Sequence, residues 1–304
     1  MSPLGSHPPR VAIAPPQLPG YNARSMNRIS RRQFVATAAA AAPLLSHLSA
    51  EPLGMPVGCQ VWPVREALNK DFSGTLKQLA AAGFKTIEMC SPDGYSGAGF
   101  APLAKMSGAE MRKIINDAGL ECRSSHFSRQ ELTERLDARI AFAKDLGLTQ
   151  MILASFGIND SAPMSEWQRA AQELNKIGER TLKAGIQTGF HNHHNEFRKI
   201  NGVLIYDTLL KELDPKLVKM QFQVAVINIG YKASDYLQKY PGRFISLHLA
   251  DWSAKENRQV ALGQGMVDWK ALYAVAKKGG VKNHFLEMDL DLMQASIPYL
   301  RSLS

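Results

Sequence analysis

The feature that most constrains this chain is a rhythm. From residue 56 onwards, apolar runs of about five residues alternate with longer amphipathic segments, and the pair recurs eight times. The apolar runs are Val57–Trp62, Thr86–Cys90, Glu121–His126, Gln150–Ala154, Ile186–Phe190, Val218–Val224, Phe244–Leu249 and Asn283–Met288. Helices are expected between them around Gly74–Ala82, from Ser107, through Leu132–Leu146, from Ser165, near Tyr206–Leu213, over Ala233–Tyr240 and over Trp269–Lys278, with a short last one through Ala295–Leu303. Two of the starts spell a capping box, Ser107-Gly108-Ala109-Glu110 and Ser165-Glu166-Trp167-Gln168, in which the first and fourth side chains satisfy first-turn amides. Gly83, Gly119, Gly147 and Gly185 mark helix ends, and Pro298 fits the last helix only in its first turn. Strands separated by whole helices pair in parallel. Eight such units in about 250 residues match the α/β class in its (β/α)8 TIM-barrel form. An open doubly wound sheet would place a glycine-rich phosphate turn after the first strand. Here that position reads Trp62-Pro63-Val64-Arg65.

The first 50 residues stand outside the rhythm. Residues 1–25 are rich in Pro, Gly and Ser without periodicity, a composition that favours disorder. Met26–Val35 carries Arg28, Arg31 and Arg32 and is followed by the alanine-rich run Ala36–Leu45. A basic stretch before a short apolar one reads as an export signal, and the paired arginines point to the twin-arginine route. The expected division is therefore a leader and signal peptide over 1–50 and a barrel domain over 51–304, with a periplasmic or secreted product. Either Met1 or Met26 serves as a start in this reading.

Charge and cysteine content narrow the partners. The formal charge is +9, but the first 50 residues hold five arginines and no acid, so the remainder carries 31 − 27 = +4. With no arginine-rich stripe, nucleic acid is not an expected partner. No apolar run reaches the ~18 residues of a membrane helix, so no stable membrane anchor is expected. Cys59, Cys90 and Cys122 are odd in number, lie in or beside strand runs and lack C-x-x-C spacing. They read as reduced core residues.

Barrels of this kind carry their chemistry at the C-terminal ends of the strands. Those ends hold Gln60, Glu88, His126, then His193 and Glu196, then Gln223, His248 with Asp251, and Glu287 with Asp289. Glu196, His248 and Glu287 are ligand types for a divalent metal. Oxygen-rich ligation with one imidazole suits Mn²⁺ or Mg²⁺ and is compatible with Zn²⁺ or Co²⁺. Two readings stay open for several positions. Glu88 is a substrate contact or a carboxylate paired with Arg65 or Lys85. Asp251 meets substrate hydroxyls or sits in a solvated loop. His191 alternates with His193 as a supporting residue, and His284 reads as structural.

The segments Gly58-Cys59-Gln60-Val61-Trp62, Phe190-His191-Asn192-His193, Tyr240-Pro241-Gly242-Arg243-Phe244, Ser246-Leu247-His248 and Leu286-Glu287-Met288 resemble the xylose isomerase-like TIM-barrel superfamily, and within it the sugar phosphate isomerase/epimerase group. The resemblance covers roughly residues 56–304. It implies a divalent metal held by Glu196, Gln223, His248 and Glu287, with Glu196 and Glu287 also forming the acid/base pair. It implies as well that His126 and the His-Asn-His stretch, His193 included, face the substrate. The departure is Gln223, where the group has an aspartate. A ligand set of charge −2 rather than −3 makes a neutral site with a dication, which binds metal less tightly but favours an anion on the substrate. The implied function is a sugar isomerase or epimerase acting on a small sugar or keto-sugar through an enediolate. A 3-keto-glycoside lyase on the same site and a non-catalytic periplasmic sugar-binding protein remain as alternatives. A metal-dependent endonuclease of this fold needs a richer ligand set and a basic groove. A homo-oligomer is compatible with all of these.

Overall fold

Each of the eight apolar runs becomes a strand in the structure, a computed structural model that describes residue 51 and residues 54–303. The leader and its arginine pair lie outside the described residues. The strands are β1 (Gly58–Gln60), β2 (Thr86–Cys90), β3 (Glu121–Phe127), β4 (Gln150–Leu153) and β5 (Gln187–His191). A small hairpin follows, β6 (Lys199–Ile200) with β7 (Val203–Leu204). Then come β8 (Val218–Gln223), β9 (Phe244–Leu249), a second hairpin of β10 (Asp251–Ser253) with β11 (Arg258–Val260), and β12 (Asn283–Leu286). Going round, β1, β2, β3, β4, β5, β8, β9 and β12 pair in parallel and close on β1. The two hairpins were not anticipated. Their strands are two or three residues long, too short for a period to show.

Strand alternation sets what lies inside. Gln60, Glu88, Ser124, His126, His191, Gln221, Gln223, Ser246 and His248 are all buried. The barrel thus closes over polar groups at its C-terminal half. Phe285 forms part of an apolar floor under them, its ring 6.1 Å from that of His248 and edge-on to it. Gly58 makes that placement feasible, since a Cβ there would come within 2.5 Å of Phe285 Cδ1 and 2.6 Å of the His284 carbonyl oxygen. The outward faces pack on helices. Phe197, Tyr206, Phe222, Tyr236 and Phe244 form a ring-on-ring cluster outside β8 and β9, with Phe197 stacked on Tyr206 at 4.6 Å.

The Ser107–Glu110 capping box makes both of its exchanges. The box expected at Ser165 does not form. The helix begins at Met164 after Pro163, whose fixed φ of −69° sets the entry, and no side chain caps it. A box does form at Ser128–Glu131, and the expected single helix breaks at Arg135 into Arg129–Glu134 and Leu136–Leu146. The last helix starts at Leu290, so Pro298 lies in its interior rather than its first turn. An interior proline costs about 3 kcal/mol. The buried stripe of Leu290, Met293, Ile297 and Leu300 offsets it. All three cysteines are buried and free. Among the described residues, no helix is long and apolar enough to cross a membrane.

Candidate functional site

The polar interior is one connected network with Glu88 at its base. Glu88, fully buried on β2, accepts from Ser124 Oγ (2.6 Å), Gln221 Nε2 (2.8 Å), Gln60 Nε2 (3.0 Å) and His248 Nε2 (2.5 Å), and lies 3.2 Å from His126 Nε2. His248 is the bridge upwards. Its Nδ1 stands 2.9 Å from Glu287 Oε2, which also accepts from Gln223 Nε2 at 2.5 Å. Gln223 turns its Oε1 to the Ala225 backbone N–H (3.2 Å), and this fixes which end of its amide meets Glu287. Glu287 keeps 16% of its side chain exposed, whereas His248 keeps none.

Charge follows this geometry. Burial pushes the Glu88 and Glu287 carboxyls up, but the facing histidine charges outweigh it, holding Glu287 below and Glu88 well below the usual carboxylate range. Burial pulls the His248 imidazole down, and the two carboxylates override it, raising it to about 9. His248 is therefore an imidazolium clasped between two carboxylates. The other rings go the opposite way. Burial and neighbouring imidazoles hold His191 well below its ordinary value, and burial holds His193 at about 4 against the pull of Glu287. Both are neutral at working pH.

Several expected residues meet here: Gln60, Glu88, His126, Gln223, His248 and Glu287, with the His193 ring beside them, 4.7 Å from His191. Two do not. Glu196 is 2% exposed but turns back on its own loop, accepting the His193 backbone N–H at 2.7 Å. The charges bearing on it are those of Arg198 and Asp160, not those of the cluster. The cause is its neighbour Phe197, which is fixed in the outer aromatic group and carries the short turn Asn195–Phe197 with it. Asp251 is likewise a loop organiser. It is 1% exposed and accepts from the backbone N–H groups of Trp252, Gly263, Gly265 and Val267 and from Trp269 Nε1. Glu88 is ringed by donors inside the barrel rather than paired with Arg65 or Lys85. His284 is structural, bonded through Nδ1 to Tyr273 on the outer face.

Gln221, Ser124 and Ser246 went unread. Each lies two residues before a strand-end candidate (Gln223, His126, His248), and the strand period of two is the signal that finds them.

A divalent cation fits the residues present. His191 Nδ1 is buried with no hydrogen-bond partner, and the rings of His126, His191 and His248 offer ligand nitrogens within 4.8 Å of one another. His248 Nδ1, Glu287 Oε2 and the Gln223 amide already converge to hydrogen-bond spacing, and Glu88 holds the far nitrogen of His248 as carboxylates hold metal-binding histidines elsewhere.

Comparison with known proteins agrees with this architecture. The profile of a family described as xylose isomerase-like TIM barrel matches residues 76–302. A sugar phosphate isomerase/epimerase from Parabacteroides distasonis superposes with a TM-score of 0.69 at 22% identity, covering 86% of this chain and 96% of that one. D-psicose 3-epimerase from Clostridium cellulolyticum H10, solved with D-tagatose, gives 0.61 at 12% identity, covering 82% and 99%. A xylose isomerase-like TIM-barrel protein from Mycobacterium smegmatis, in complex with magnesium, gives 0.60 at 15% identity, covering 83% and 97%. At these identities the structural likeness carries the fold. Comparison with curated protein sequences returns no match.

Proposed function

The chain belongs to the xylose isomerase-like TIM-barrel family, and from that premise we propose that it is a sugar isomerase or epimerase working by proton transfer beside a carbonyl. The observation that carries this reading is Glu287, an ionised carboxylate gripped from behind by His248 and Gln223 yet open at its front. Placed against the carbon next to a substrate carbonyl, Glu287 takes its proton and leaves an enediolate. His193, neutral and half-buried at the mouth, offers the substrate one N–H donor and one lone pair without placing a further charge there.

His248 and Glu287, with the amide oxygen of Gln223 after a flip and the unpartnered nitrogen of His191, are the groups that would hold a divalent metal. Two imidazoles and a carboxylate shift the balance from Mg²⁺ towards Mn²⁺, Co²⁺ or Zn²⁺. When bound, such an ion supplies Lewis acidity to the substrate carbonyl and to the charge left by proton loss.

With Glu196 turned away, Glu287 is left as the carboxylate at the mouth. Returning the proton from Glu287 to the neighbouring carbon is aldose–ketose isomerisation. Epimerisation needs a second group on the opposite face, a role this reading gives to His193, whose ring lies beside that of His191. The runner-up, elimination of a β-leaving group from a 3-keto-glycoside, uses the same first step. Free keto-sugars and 3-keto-glycosides incubated with Mn²⁺-loaded protein and followed by NMR test the proposal. Isomerised or epimerised products support it, a released aglycone moves the assignment to a lyase, and bound but unchanged sugar means a binding protein. Export by the twin-arginine route belongs to the same proposal and rests on Arg31-Arg32 and the apolar run after them.

A further inference from the structure

Two half-buried rings stand past the ends of β1 and β2, next to the polar cluster. Trp62 follows β1, and its backbone N–H donates to Gln60 Oε1 at 2.8 Å. Tyr95 comes from the loop Ser91–Phe100 after β2, and its ring meets that of Trp62 edge-on with centroids 5.9 Å apart. Phe100 is fully buried against both, 6.5 Å from Trp62 and 6.2 Å from Tyr95. Among the described residues the Tyr95 hydroxyl has no hydrogen-bond partner. Burial, together with Cys90, Glu131, Glu88 and Glu287 facing it, raises this phenol well above its ordinary value, so the hydroxyl stays neutral. Glu88 and Glu287 belong to the cluster, which puts the unpaired hydroxyl on the site's side of the loop. A neutral phenol donates one hydrogen and accepts another, which suits a sugar hydroxyl.

The loop is held from behind by Glu131. As the fourth residue of the Ser128–Glu131 capping box, it gives Oε2 to the Ser128 backbone N–H (3.0 Å) and Oγ (3.1 Å). The other capping box does this with an exposed carboxylate, Glu110, whereas Glu131 is 3% exposed. Its second oxygen accounts for the burial. Oε1 accepts from Ser91 Oγ at 2.5 Å, and the Ser91 N–H is itself tied to the His126 carbonyl oxygen on β3 at 2.8 Å. Gly94 lies so close that a Cβ there would come within 1.8 Å of Glu131 Oε2. The broken helix adds a second grip: Arg135 at the break and Arg139 one turn on both pair with Asp93, Arg139 at 2.9 Å. We propose that Tyr95 is a substrate-binding residue that meets a sugar hydroxyl away from the reacting carbon, and that Glu131 is the positioning residue that sets it there through the loop Ser91–Phe100. The substrate class rests on the proposed function, but the contact is read by binding, without turnover.

The test is calorimetric titration of D-fructose, D-tagatose and a methyl 3-keto-glycoside into Mn²⁺-loaded protein, for wild type, Tyr95→Phe, Glu131→Ala and the double variant. Tyr95→Phe keeps the ring contacts and loses one hydroxyl. It should weaken whichever sugar wild type binds by about 3–10-fold, what one hydrogen bond between neutral groups contributes. Glu131→Ala should weaken it at least as much. The double variant should bind as Glu131→Ala does, because both changes remove the same contact. Effects that multiply would mean that Glu131 acts by another route and would overturn its role. A Glu131→Ala protein that melts lower yet binds as wild type would show a merely structural carboxylate and do the same. Wild-type affinity in Tyr95→Phe overturns the proposal as a whole. Should Glu131→Ala fail to fold, Ser91→Ala, which cuts only the bond to Oε1, replaces it with the same expectation of no further loss on adding Tyr95→Phe. Sugar bound but never turned over would sink the proposed reaction and leave this test decisive; no sugar bound by wild type would sink both.

Discussion

At the scale of single residues, two side chains depart from what the resemblance implied, Glu196 by its direction and Gln223 by its type, and each carries a measurable expectation. Glu196 is raised by burial from its ordinary 4.5 to about 7. An acid raised by folding holds a proton that the unfolded chain releases. Its stabilising contribution is complete below about pH 4.5 and is lost as pH climbs through 7. Glu196→Gln should therefore be more stable than wild type above pH 7, by up to ~3 kcal/mol, and should flatten the fall in melting temperature between those values. Its turnover should stay within a few-fold of wild type. A thousandfold loss of turnover in this variant would return Glu196 to the catalytic pair. Gln223 is the other case. Gln223→Asp sets a second carboxylate against Glu287, and calorimetric titration should find Mn²⁺ bound at least tenfold more tightly, about 1.4 kcal/mol or more. Effective dielectrics near 20 keep the gain well below the full Coulomb value. Equal affinities would place Gln223 away from the metal.

Secondary-structure elements show why some of the site could be read in advance and some could not. The strands were legible because their apolar runs are short, regular and separated by helices with clear ends. Candidates at strand tips followed directly, and Gln60, Glu88, His126, Gln223, His248 and Glu287 do meet. Glu196 and Asp251 were misplaced because both lie past the strand, where period two no longer governs direction. Tertiary anchors govern there instead, Phe197 in the aromatic cluster for one and the loop Gly263–Val267 for the other. That loop depends on Asp251. A Cβ at Gly265 would come within 2.2 Å of Asp251 Oδ1, so glycine is needed for the carboxylate to reach the backbone. Asp251→Ala leaves three backbone N–H groups of this loop and the Trp269 indole N–H without their acceptor, and should cost about 3 kcal/mol once water has taken some of them. Hydrogen exchange should quicken over residues 261–268 while β8 and β9 stay protected. Unchanged exchange there would mean that other contacts hold the loop.

For the whole molecule, barrel and leader make separate claims. The leader claim is tested by changing Arg31 and Arg32 together to Lys, which should leave the protein in the cytoplasm of its host; continued export would mean the arginine pair is not the signal. The barrel claim is that a closed fold aims one ionised carboxylate at the carbon beside a sugar carbonyl. The most direct measurement is deuterium wash-in: Mn²⁺-loaded protein with a panel of keto-sugars in D₂O, followed by ¹H NMR, for wild type and Glu287→Gln. Wild type should place deuterium on the carbon next to the carbonyl of at least one sugar, and Glu287→Gln should do so about 10²–10⁴-fold more slowly while staying folded. No exchange on any sugar, or exchange by Glu287→Gln as fast as by wild type, would contradict the account.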